Sequence, residues 1–272
     1  MATVETWTAH FGLSRPPFAK ALPPGGYFER AAHREAVARI RYLIAEMAMG
    51  AIVGDVGSGK TVALRAAVAG LDKTRHTIVY VANPMFGTRG LYVAIVSALG
   101  AVPRFHKAEV MAQAATLLAA EEAERHRKVL VAIDEAHLLA PAQLEELRLM
   151  ANAEMDAASP FALVLLGQPL LSRQLRLGVF AALDQRLALR FQIAGMDLAE
   201  SLGYLRHHLA LAGRDEPLIA DDAAARLHRF SNGLPRALNN AATAALMAAA
   251  SEGKDLVDDA CARRAVTELS HE

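Results

Sequence analysis

The most constraining feature of this chain is residues 54–61, which read Gly54, Asp55, Val56, Gly57, Ser58, Gly59, Lys60 and Thr61. The spacing is G-x-x-x-x-G-K-T. The glycines let a backbone wrap closely around another group without Cβ clashes. A turn of this kind aims successive N–H groups inward and so favours an anion. Lys60 adds a point charge, and the Thr61 hydroxyl can ligate a hard cation such as Mg²⁺. The flanks agree with a phosphate-binding loop. Residues 50–53 are a short apolar run suited to a buried parallel strand, and residues 61–69 are Ala-rich and suited to a helix. The N-terminal dipole of such a helix favours phosphate. A chance glycine-rich turn would need neither flank.

The remaining periodicity extends this start into an α/β fold. Apolar runs at 77–81, 129–133, 161–166 and 187–193 read as further strands, with helices at 88–99, 107–127 and 141–152 between them and one at 30–46 ahead of the loop. Alternation of this kind implies a parallel sheet covered on both faces. Two helices between the second and third strands is one more than the simplest crossover needs. After Gly195 the pattern changes to helices alone, at 197–212, 221–231, 235–250 and 256–269. Before it all, residues 1–28 form an arm in which Phe11, Phe18, Tyr27 and Phe28 sit among Pro16, Pro17, Pro23 and Pro24. Prolines and glycines keep such a segment out of regular structure, while its aromatics must bury somewhere. The expected domains are an arm at 1–28, a nucleotide-binding α/β domain at 29–195 and a helical lid at 196–272.

Charge and cysteine content bound the setting. With 29 basic and 29 acidic residues the chain has no bulk preference for a polyanion. Basic residues dominate up to about residue 110 and acidic ones after it, which suits either a polyanion-binding face, head-to-tail packing of subunits, or an unevenly charged surface. Cys261 is the one cysteine, so no internal disulfide can form. The N-terminus lacks a signal-peptide pattern and no apolar run reaches membrane-spanning length. A cytoplasmic protein without a membrane partner is expected.

Further residues carry chemistry. Asp134 and Glu135 end the apolar run 129–133. If that strand neighbours the phosphate loop, Asp134 would hold Mg²⁺ and Glu135 would orient and polarise water. Asp134, Glu135, Ala136 and His137 spell a helicase motif, but such helicases need two motor domains. His137 therefore reads as a surface or bridging residue. Gln168, after the fourth strand, suits either a contact to a terminal phosphate or a turn. Arg186 precedes the fifth strand and Arg190 lies inside it; an arginine there can enter a neighbouring subunit's nucleotide site or remain on the surface. Arg236 follows Pro235 at a helix start, from which it could reach a nucleotide.

Together these motifs resemble an AAA+ ATPase, in that family's order. The resemblance implies a Walker A loop at 54–61, a Walker B strand ending in Asp134 and Glu135, sensor 1 at Gln168, an arginine finger at Arg186 and sensor 2 at Arg236. The implied cofactors are ATP and Mg²⁺, and Lys60, Glu135 and Arg186 are the implied catalytic residues. Phe11, Gly12 and Leu13 through Pro17 and Phe18, then Tyr27, Phe28 and His33, are similar to the ExeA/GspA-like ATPases and their transposition relatives TniB, TnsC and MuB. So are Gly167, Gln168 and Pro169 followed by Asp184, Gln185 and Arg186. In initiator-related AAA+ proteins the added helix between the second and third strands faces DNA. Arg89, Arg104, His106 and Lys107 flank that region here, as contacts to duplex DNA or as a solvated loop.

Two function classes follow. In one, ATP drives assembly into a ring or filament on duplex DNA, without strong sequence preference, and the assembly stimulates a transposase. In the other, the protein is a secretion-associated ATPase; a replication-type loader is a third. ExeA/GspA proteins carry a membrane span and a further domain, and neither is found up to Glu272, which tilts the expectation toward transposition.

Overall fold

The computed structural model describes residues 4–19, 26–152 and 159–270. Pro23 and Pro24 of the expected arm lie outside them. The chain divides into two compact units. One holds Ala31–Asp55 and Gly59–Ile193; the other holds Met1–Arg30, Val56–Ser58 and Ala194–Glu272.

The first unit is a three-layer α/β structure. Its elements are α2 (Ala31–Ala45), β1 (Met49–Val53), α3 (Lys60–Ala69), β2 (His76–Val81), α4 (Gly87–Ala98), α5 (Lys107–Ala123), β3 (Lys128–Ile133), α6 (Pro141–Met150), β4 (Ala162–Gly167), α7 (Pro169–Leu175), α8 (Ala181–Arg186) and β5 (Leu187–Gln192); α1 belongs to the other unit. All strand pairs are parallel, in the order β2-β3-β4-β1-β5. The burial pattern follows from that order. Strands β1 and β4 are buried throughout, and β3 from its second residue, because helices cover both faces. The edge strand β5 alternates between more and less exposed positions. The two-residue period divides the core. Val131, Ile133, Leu163 and Leu165 pack with α4, α5 and α6, while Ile52, Leu130, Val164 and Leu166 pack with α2 and α3.

The parallel sheet expected from the sequence is present, and so are both helices between β2 and β3. The sequence left open whether β1 and β3 are neighbours; they are not, because β4 lies between them. The short helices α7 and α8 were not expected either. Helix α5 ends at Ala123, short of the expected 127. His126 there takes a left-handed φ of 52°, and the Arg127 amide closes back on the Glu121 carbonyl at 2.8 Å. That is a helix-terminating turn.

The second unit is helical: α1 (Val4–His10), α9 (Leu198–Leu211), α10 (Asp221–Ser231), α11 (Pro235–Ser251) and α12 (Asp259–Ser270). Helix α9 opens on a capping box. Asp197 accepts from the Glu200 amide at 2.7 Å, and Glu200 accepts from the Asp197 amide at 3.3 Å. Asn232, at φ 48°, ends α10. Helix α12 starts at Asp259 rather than 256 because Val257 is drawn into a parallel bridge with Ile219. The arm is not irregular throughout, since α1 occupies part of it. Its Trp7, Phe11 and Leu13 are buried with Leu205, Leu209 and Leu246. Among the described residues, no helix is long and apolar enough to cross a membrane.

Candidate functional site

Residues 54–61 leave the C-terminal end of β1 and enter α3. The Gly54 amide donates to the Gly167 carbonyl at 3.1 Å, which ties the start of the loop to the end of β4. The Lys60 ammonium folds back onto the Gly54 and Asp55 carbonyls at 2.8 and 3.0 Å, and Lys60 is only 6% exposed. Two glycines are required where they stand. Gly59 has φ +96°, and a Cβ there would sit 2.3 Å from Nε2 of His33 on α2. Gly57 has φ +81°, and a Cβ there would sit 2.5 Å from Cβ of Arg236. A side chain at either position meets both backbone strain and a collision.

Val56–Ser58 and Arg236 belong to the helical unit. In that unit the buried Arg30 donates from Nη2 to the Ser58 carbonyl at 3.2 Å. Its Nε and Nη1, and Ser58 Oγ, are buried without a hydrogen-bond partner among the described residues. Burial lowers the Arg30 pKa, opposed by Glu200 and Tyr204.

Asp134 follows β3 and is 6% exposed. Its Oδ2 accepts from the Thr61 hydroxyl at 2.7 Å and from the Tyr80 hydroxyl at 2.9 Å, while Oδ1 accepts from the Glu135 amide at 2.9 Å. Thr61 therefore reaches the carboxylate although β4 separates their strands. Tyr80 was not singled out from the sequence. It comes from β2, whose pairing with β3 puts Tyr80 opposite Ala132, and only that pairing reveals it. Partial burial, and then the Asp134 carboxylate, push its phenol up to about 12.

Glu135 takes a left-handed backbone, φ 51°, which turns the chain sharply after Asp134. Its Oε2 lies 3.4 Å from Nδ1 of His137, and the Gln168 amide points to the same Nδ1 at 3.5 Å. His137 thus lies between the ends of β3 and β4.

The expected arginines have different settings. Arg186 is the last residue of α8. Arg190, on the edge strand β5, donates to the carbonyl and carboxylate of Asp184 at 2.6 and 2.5 Å. Arg236 is the second residue of α11 and is exposed. Arg89 donates to the Phe105 and Arg104 carbonyls at 2.8 and 3.1 Å, and Lys107 pairs with Glu146 at 2.5 Å. Both are engaged within the unit, while the Arg104 side chain is exposed.

These residues fit a magnesium nucleotide. The loop presents the glycine backbone and ammonium that phosphates require. A hydroxyl and a carboxylate in contact are the hard oxygen donors Mg²⁺ prefers. Fold and site together define a phosphate-loop nucleotide-binding protein.

Comparison with known proteins narrows the class. Residues 45–175 match the family described as AAA domain, a segment containing the whole loop, Asp134, Glu135 and Gln168. The chain is an AAA+ protein, with that group's five-stranded sheet followed by a helical lid. It is 34% identical over 251 residues to general secretion pathway protein A of Aeromonas hydrophila, covering 91% of this chain and 45% of that protein. The chain thus spans less than half of that relative's length. Cdc6p of Pyrobaculum aerophilum matches with a TM-score of 0.71 at 18% identity, covering 93% of this chain and 70% of that one. ORC1 of Aeropyrum pernix, solved in complex with DNA, matches at 0.66 and 15% identity, covering 91% and 68%. At these identities the structural likeness is one of fold. The sequence relative is a secretion protein, so the comparison favours the secretion reading over the transposition reading expected above.

Proposed function

We propose that this chain hydrolyses ATP with Mg²⁺, that the bound nucleotide governs its self-association, and that it works as a cytoplasmic ATPase of the general secretion pathway protein A type. One observation carries the ATPase reading: the Thr61 hydroxyl from the phosphate loop lies 2.7 Å from the Asp134 carboxylate at the end of β3. Magnesium, held by Thr61 and Asp134, would offset phosphate charge. Lys60 leaves its two loop carbonyls for the phosphates. Glu135, on its own sharp turn, accepts a proton from water. Arg236, beside Gly57, adds charge near the loop. Arg186 acts on the site of a neighbouring subunit in a head-to-tail ring or filament.

A second reading, a helper that assembles on duplex DNA and stimulates a transposase, is supported by α4 and α5 between β2 and β3. The turn joining them exposes Val102, Arg104 and Phe105. Sedimentation and electron microscopy with a non-hydrolysable ATP analogue, with and without duplex DNA, test both. Assembly with the analogue alone supports the secretion-type switch. Assembly that needs duplex supports the second reading. A monomer under every condition contradicts both.

A further inference from the structure

The parallel sheet has a second polar region at the N-terminal ends of β2 and β3, opposite the phosphate loop. A cavity of about 670 Å³ opens there among the ends of α2, α3 and α5. Arg41, Arg75, His76, Arg125, His126 and Lys128 line it, and among the described residues no carboxylate does. Ile44, Ala45 and Leu71 supply an apolar part of its wall.

Local structure accounts for some of this charge. Lys128 donates to the Ala45 carbonyl at 2.6 Å, and Arg41 to the Ala66 and Ala67 carbonyls at 3.4 and 3.5 Å. These cations cap the C-terminal ends of α2 and α3, where positive charge is favoured. Arg125 pairs with Glu121, which also accepts from the Thr77 hydroxyl at 2.6 Å. Arg75 is exposed and reaches Asp72 only at 3.9 Å, while the other duties of Asp72 are the amide and hydroxyl of Thr74. Capping and pairing therefore leave a surplus of positive charge directed at one concave space.

We propose that this cavity is a second anion site, separate from the phosphate loop, for a small phosphate-bearing ligand of nucleotide size. The volume is in the range of small-molecule sites, and convergent cations over an apolar wall suit a phosphorylated organic molecule. Arginines match phosphate oxygens through paired donors. A nucleic-acid backbone would call instead for a stripe of cations along an open surface.

The test uses the full chain carrying Lys60→Ala, which weakens the loop site, titrated calorimetrically with inorganic tripolyphosphate without magnesium. One saturable site is expected. Arg75→Glu in the same background lowers its affinity at least tenfold, and Arg75→Lys, which keeps the charge but not the paired donors, restores part of it. ATP turnover of the single Arg75→Glu chain stays at the parent rate, so the outcome is independent of the proposed function. No saturable binding, or binding indifferent to Arg75→Glu, overturns the proposal. So does Arg75-dependent binding of duplex DNA or of anionic phospholipid vesicles that tripolyphosphate does not displace, since the occupant would then be a macromolecule or a membrane.

Discussion

Both units bury polar side chains, but they satisfy them differently. In the sheet unit Lys60 is held by carbonyls of its own loop, and Asp134 by the hydroxyls of Thr61 and Tyr80. A phosphate and a metal ion would use the same donors and acceptors, so these bonds are exchangeable. In the helical unit His208, 2% exposed, donates from Nδ1 to the Pro17 carbonyl at 3.3 Å and packs on Tyr204 and Phe18. Ser201 Oγ and His228 Nδ1 meet at 2.8 Å. No ligand chemistry calls for these groups; they fix helices and arm. The buried polar groups of Lys60 and Asp134 thus suit a ligand, whereas those of His208, Ser201 and His228 serve packing, and substitutions should separate the two sets.

Glu135 aside, the largest effect is expected at Arg186. Arg186→Ala should cut ATP turnover of the assembled protein about 10³-fold while leaving ATP binding intact. Mixing it with Lys60→Ala chains should restore part of the activity; absence of rescue in a steady-state assay counts against action in trans. Next, Lys60→Ala should weaken nucleotide binding about 100-fold with no change in thermal midpoint beyond a few degrees, measured by calorimetry and melting.

The helical unit should respond to pH instead. Burial, and then the neighbouring His207, push His208 down to about 4 from an ordinary 6.5. Between these values the unfolded chain binds more protons than the native one, so stability falls as pH drops through that window. Urea unfolding at pH 4.5 should give roughly 2–3 kcal/mol less stability from this group than at pH 7. His208→Gln should flatten that part of the profile; an unchanged pH slope would contradict the assignment. The smallest effect belongs to Tyr80→Phe. Removing one of the two hydroxyl donors to Asp134 should cost about 1 kcal/mol in magnesium-dependent binding, readable as a few-fold shift in a magnesium titration.

The two regions were also unequally legible in the sequence. The phosphate loop is contiguous because a backbone cradle must be, so one stretch displays it whole. Asp134 and Glu135 were visible as charge ending an apolar strand. Strand order was not visible: nothing local says that β4 inserts between β1 and β3. Tyr80 was missed for the same reason, since its role comes from the neighbour its strand acquires. The engagement of Arg89 and Lys107 with Phe105, Arg104 and Glu146 likewise depends on tertiary packing. In the helical unit the 3.6-residue period gave α9 to α11 within a residue or so, whereas α1 was hidden in an arm dominated by prolines and aromatics.

The central claim is a division of labour at the end of β3, with Asp134 serving the metal and Glu135 serving water. Single-turnover hydrolysis and equilibrium ATP binding of Glu135→Gln test it directly. Hydrolysis should fall by about 10²–10⁴ while binding stays within a factor of about two. Hydrolysis at the parent rate, or loss of binding together with turnover, would contradict the account.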